Sequence, residues 1–229
     1  MKTYLLAALL GSGFLGCTKT YHLASLPANP PNFTPTATPT PIPCRIWNFE
    51  DGTTQGWSVP YWNPVCSSTA VTALSSLGAA VSLVSFGLDI ILPPAGCSVG
   101  VNDVQAQVSG GACPGFPIDF AALNLTGVRC RLWANPDLFS LSASEVVNAC
   151  PYIQVPGPIY GGCFNGWPSQ NPQPIPSPGG QWITVSLTPS GGSWATDRTN
   201  VIAIGLEVNE NSANQPSVAD VVVDNIQLF

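Results

Sequence analysis

The chain has 229 residues, of which 8% are charged and 45% hydrophobic. Gly (22) and Pro (24) are abundant and helix formers such as Lys, Glu and Arg are scarce, which disfavours a helical body and favours an all-β, loop-rich one. Twelve acids against six bases give a net charge of -6 with no basic run, so no nucleic acid partner is expected.

Met1 to Gly16 carries Lys2, an apolar run from Tyr4 to Leu10 and then small residues, the pattern of a secretory signal peptide, too short to span a bilayer. It ends Phe14-Leu15-Gly16-Cys17, which resembles the lipobox of bacterial lipoproteins. That resemblance implies lipidation of Cys17 and an exported protein held at a bacterial outer membrane or cell surface through the N-terminal lipid alone. The other reading is ordinary cleavage, a secreted chain, and Cys17 lost or disulfide-bonded. Residues 17–43 form a Pro/Thr-rich tether, in which Thr34-Pro35-Thr36-Ala37-Thr38-Pro39-Thr40-Pro41-Ile42-Pro43 can make neither ladder nor helix and extends as a spacer. The expected organisation is thus signal (1–16), tether (17–43) and one folded domain (44–229) long enough to bury a core.

Within that domain strands are predicted at Arg45–Glu50, Ala79–Phe86, Leu88–Leu92, Ser98–Val108, Thr126–Ala134, Trp182–Leu187, Val201–Val208 and Val218–Phe229. Ser142 to Asn148 suggests a turn or two of helix, with Ser142 as cap and Glu145 at the capping-box position. Pro151 to Gly180, dominated by Pro, Gly, Asn and Ser, reads as one long loop. Many strands without a convincing amphipathic helix predict a two-sheet antiparallel β-sandwich of jelly-roll type.

Alternation along the strands sorts faces. Val128, Cys130 and Leu132 point one way and Arg129, Arg131 and Trp133 the other; Ile183, Val185 and Leu187 oppose Trp182, Thr184 and Ser186; Ile202, Ile204, Leu206 and Val208 oppose Ala203, Gly205 and Glu207. If the three strands are neighbours, their second faces make a surface of arginine forks, hydroxyls and aromatic planes, the chemistry of a sugar site. The same pattern also describes a solvated face with an arginine packed on Trp133. Tyr61, Trp62, Tyr160 and Trp167 fall in predicted loops and are further candidates for ligand contact. In the closing strand Val222, Asp224, Ile226 and Leu228 share one face if no bulge intervenes. A carboxylate among core-facing aliphatics needs an arginine or a cation. The first strand also ends in acids, Glu50 and Asp51, so the two strands are expected to run side by side and share a cation.

Of eight cysteines, Cys150 with Cys163 is the favoured disulfide, stapling the base of the long loop, and Cys97 with Cys113 the next. Lipidation of Cys17 would leave an odd number, hence one unpaired thiol. The lone histidine, His22, lies in the tether, so a zinc site and a histidine-dependent nucleophile are not expected in the domain. Glu207 with Glu210 or Asp197 is the pair a glycosidase would need, but nothing marks it, and no enzymatic activity is expected.

Phe49-Glu50-Asp51-Gly52 with Gly56-Trp57, then Leu132-Trp133-Ala134, Trp182-Ile183-Thr184-Val185 and Val223-Asp224-Asn225-Ile226 occur in that order. The ordered set resembles the jelly-roll carbohydrate-binding modules of the galactose-binding-like superfamily. The resemblance implies a non-catalytic module for a polysaccharide or glycan with a structural calcium ion, and maps the calcium acids to Glu50 and Asp224. Carbonyls or water would complete a shell of six to eight oxygens. The rival expectation is a structural or adhesive envelope protein that uses the same fold to meet a protein partner.

Overall fold

The computed structural model describes residues 45–60, 68–73, 86–92, 103–109, 115–139, 146–163, 167–210 and 219–229. The signal, Cys17 and the tether lie outside the described residues, as do Tyr61, Trp62, residues 79–85 and Cys97 and Cys113.

In chain order the described strands are β1 (Ile46–Trp47), β2 (Ser68–Ala73), β3 (Phe86–Leu92), β4 (Asp103–Ser109), β5 (Val128–Ala134), β6 (Val147–Gln154), β7 (Ile159–Gly161), β8 (Gln173–Pro174), β9 (Trp182–Leu187), β10 (Ala203–Glu210) and β11 (Ala219–Leu228). They form two antiparallel sheets. The first runs β2-β3-β11-β5-β9, with β1 added to β11; the second runs β4-β10-β6-β7, with β8 added to β6. This is the predicted all-β sandwich, and its first and last strands do pair: Ile46 lies opposite Gln227 and Trp47 opposite Ile226.

Alternation builds the core. Leu88 and Ile90, Val128, Cys130 and Leu132, Val185 and Leu187, and Val221 and Val223 project from the first sheet. They meet Val104, Ala106 and Val108, Val147, Ala149 and Ile153, and Ile204, Leu206 and Val208 from the second. Each such side chain is worth about 1.5–3 kcal/mol of burial. Trp47 and Trp57 cap one region of the core edge to face, 5.8 Å apart. The short helix α1 (Trp194–Asp197) delivers Trp194 onto Tyr160 and Phe120.

Three departures from the sequence reading have local causes. First, β11 carries a bulge between Asp224 and Gln227, with Asn225 at φ 50. Asparagine tolerates that left-handed conformation. The extra residue flips parity, so Ile226 and Leu228 stay in the core while Asp224 joins Val222 on the outer face. Asp224 therefore does not sit among core-facing aliphatics.

Second, the expected long loop at 151–180 is partly sheet, and no helical turn forms at Val147 and Asn148, which belong to β6. Proline in a central strand normally forfeits a ladder bond. Here the Pro151 carbonyl accepts from the Gly162 N–H at 3.0 Å, away from β10. The donor that proline lacks would point to the same side, into the break between β7 and β8, where no strand needs it. Residues 142–145, including the expected cap, lie outside the described residues.

Third, β10 lies in the second sheet, so only two of the three strands expected to share a polar face, β5 and β9, are neighbours. The sequence reading also assigns no strand to Ser68–Ala73, which is β2, the sheet's edge.

Candidate functional site

The outer face of the first sheet carries the residues the sequence marks. Cross-strand register sets Asp89, Val222, Trp133 and Trp182 in one row, Asp224, Arg131 and Thr184 in the next, and Gln227, Arg129 and Ser186 in a third. Trp133 and Val222 form a small apolar cluster with Trp182 packed against it. Trp133 is only 5% exposed, so it is the floor of the face rather than a free platform. The Arg131 guanidinium stacks over the Trp182 ring, 4.7 Å from its centroid.

Between the second and third rows lies an open depression of about 250 Å³, lined by Arg129, Cys130, Arg131, Thr184, Asn225 and Gln227. Arg129 donates from Nε and Nη2 to the Gln227 Oε1, at 3.1 and 2.8 Å, and its guanidinium lies 5.4 Å from the Phe229 ring centroid. Arg131 is held by stacking and by Asp224, whose Oδ2 is 4.0 Å from Nη1, and forms no hydrogen bond within the described chain. The free edge of β9 is closed by Gln173, whose amide accepts from the Ser186 N–H at 3.0 Å and donates to its carbonyl at 2.8 Å. That side chain mimics a missing strand.

Asp224 is 3% exposed. Burial pushes its carboxyl above the ordinary aspartate range; the Asn225 N–H and Arg131 pull it down, and the charge of Glu50 pushes it up. Its oxygens accept from the Asn225 backbone and side-chain nitrogens, at 2.7 and 2.9 Å. Glu50 is exposed, in a turn closed by the Gly52 N–H donating to the Phe49 carbonyl at 2.9 Å. The two acids thus lie within electrostatic reach of each other. Among the described residues no three His, Cys, Asp or Glu side chains converge. Any calcium there would need backbone carbonyls beside these two carboxylates.

Asp89, which the sequence reading did not single out, sits on the same face with an Oδ1 that has no hydrogen-bond partner. Burial, then the neighbouring Asp220, raises its carboxyl to about 6. The Trp182 Nε1 also has no partner. Strand parity could have set Asp89 opposite Leu88 and Ile90 on an outward face, but only the sheet order puts it in the row of Trp133.

The outer face of the second sheet is different. Glu207, which alternation sets on the outward face of β10, is fully buried. Its Oε2 accepts from the Cys163 N–H at 2.7 Å. Cys150 and Cys163 form the expected disulfide, which ties that segment to β6. Trp167 packs edge-on against Tyr152, 6.3 Å between centroids, and Tyr152 donates to Gln107 Oε1 at 2.9 Å. Tyr160 lies in β7 rather than in a loop and is fully buried; its hydroxyl donates to Asp197 Oδ2 at 2.6 Å. Asp197 also accepts from the Ser193 hydroxyl, so its carboxylate is engaged by two hydroxyls. Cys130 is the free thiol among the described cysteines, and burial pushes it up to about 12.

No family model matches the chain, and no curated protein matches it. Among solved structures it is similar to CBM27-1 of Caldicellulosiruptor saccharolyticus, solved in complex with mannohexaose. The TM-score is 0.53 at 12% identity, over 82% of this chain and 96% of that one. It is also similar to a non-crystalline cellulose specific carbohydrate-binding module, CBM28, with TM-score 0.48 and 14% identity over 79% and 91% of the two chains. The first likeness establishes a shared jelly-roll β-sandwich; the second is too weak to carry an argument. Fold alone does not assign function.

Proposed function

We propose that the domain is a non-catalytic carbohydrate-binding module, tethered to a cell surface, whose ligand lies on the outer face of the first sheet. The observation that carries this reading is the depression beside the indoles. Two guanidinium groups, a hydroxyl and two amides surround it, and the donors of Arg131 make no hydrogen bond within the described chain. Sugars bind by laying apolar ring faces on aromatic planes while fixed polar groups take their hydroxyls. The solved complex of CBM27-1 with mannohexaose supports the same use of this fold. The reading includes a structural calcium ion held by Glu50 and Asp224, which would relieve the repulsion between two acids, one of them buried.

Retention of the full chain on a broad panel of immobilised glycans tests the reading. Trp182→Ala and Arg131→Ala should each weaken retention while the fold persists. No retention on any glycan rejects it, and a stable oligomer that buries Trp182 would reassign the face to protein contact. Calcium is tested separately: a chelator should lower the melting temperature by several degrees, and should do nothing to Glu50→Gln.

A further inference from the structure

We infer that the depression on the first sheet takes an anionic glycan, one whose sugars carry carboxylate or sulfate groups, in preference to a neutral one. The inference rests on the carbohydrate-binding reading and names its substrate class. The chain holds twelve acids and six bases, yet two of the six bases line this one depression and no acid does. Arg129 and Arg131 are two residues apart on β5 and so lie on one face, about 7 Å apart along the strand.

Both guanidinium groups are preorganised and both keep donors to spare. The Arg131 guanidinium sits over the Trp182 ring and makes no hydrogen bond within the described chain. Arg129 spends Nε and Nη2 on a single neutral oxygen, that of Gln227, and Nη1 makes no hydrogen bond within the described chain. A planar fork of this kind matches a carboxylate or sulfate in a bidentate fashion, which a hydroxyl cannot reproduce. Asp224 neutralises part of the charge on Arg131, but it is buried beside the depression rather than lining it, and among the described residues no acid is paired with Arg129. Thr184, exposed and directly across from Arg131, and Asn225 and Gln227 complete a rim of neutral groups able to take the remaining hydroxyls.

The test compares matched polymers on the full chain: polygalacturonate and dextran sulfate as anionic arms, galactan and dextran as neutral ones. Retention should favour an anionic arm and weaken as salt rises; the arm retained says whether carboxylate or sulfate is the group read. Thr184→Glu sets a negative charge in the depression without touching the core, and should weaken that binding by about tenfold or more, as should Arg129→Gln. Arg131→Lys keeps the charge and loses the fork, and should weaken it less. Binding of neutral polymers alone overturns the inference and leaves the carbohydrate reading standing. Binding of no polymer overturns both. Anionic binding indifferent to Thr184→Glu and Arg129→Gln also overturns it, since the depression would then not be the site.

Discussion

The two outer faces of the sandwich carry the same kinds of side chain and use them differently. On the first sheet Arg129, Arg131 and Thr184 border an open depression, and some arginine donors make no hydrogen bond within the described chain. On the second, Tyr152 and Glu207 are covered: Trp167 packs on the Tyr152 ring, and the carboxylate is fully buried against the N–H of disulfide-bonded Cys163. A carboxylate or an aromatic ring on an outward strand position, such as Glu207 or Tyr152, is therefore not by itself a binding group. What decides is whether the chain folds back over it. Where it does, the polar group becomes an anchor for the covering segment; where it does not, the group is left for solvent or ligand.

The contrast can be broken most forcefully on the sealed face. Replacing Cys150 and Cys163 by Ser removes a link across 13 residues and should cost about 3 kcal/mol, with the melting temperature down by roughly 6–12 °C in calorimetry. Glycan retention below that temperature should be unchanged. If retention were lost while the first-face variants bound normally, the roles of the two faces would be exchanged. Next in size is Gly205→Ala. A Cβ there would lie 2.1 Å from the Tyr152 ring, so the ring must move and break its bond to Gln107, at a cost of about 2 kcal/mol in chemical denaturation.

At Asp89, on the open face, the effect is smaller and of opposite sign. Asp89 has its folded-state carboxyl raised to about 6, against an ordinary value near 4 in the unfolded chain. Between those values the native state holds a proton that the unfolded chain has lost, so stability falls as pH rises through about 4 to 6. Asp89→Asn should therefore stabilise by about 1 kcal/mol at pH 7, a figure discounted because the side chain is partly exposed, and by nothing at pH 4. Equal melting curves for the two proteins at both pH values would remove Asp89 from the account. The smallest stability effect belongs to Thr184→Ala, which should leave the denaturation midpoint unchanged within error and lower glycan retention a few-fold. Trp133→Ala is the poor probe that sequence would have chosen. Its side chain is part of the buried floor, and truncation should cost about 3 kcal/mol through packing, whatever it does to binding.

Much of the fold was legible because strand parity is a local property. Val128, Cys130 and Leu132 against Arg129, Arg131 and Trp133 alternate in the sequence as they do in the sheet. The pairing of the first and last strands and the Cys150–Cys163 bridge were legible too, from acids and cysteines at suggestive positions. β6 was not, because Pro151 speaks against a central strand unless the break in its neighbour is known. Nor was the outward turn of Asp224, which depends on a single extra residue in β11.

The sequence by itself determined which side chains share a face, since alternation along one strand needs no knowledge of any other. Only the tertiary structure decided which strands lie side by side and which faces are covered, because those depend on contacts between residues far apart in the chain. Arg131 and Trp182 are 51 positions apart, and no local rule brings them to 4.7 Å. Glu207 and the Cys163 N–H are 44 apart, and no local rule hides that carboxylate from water.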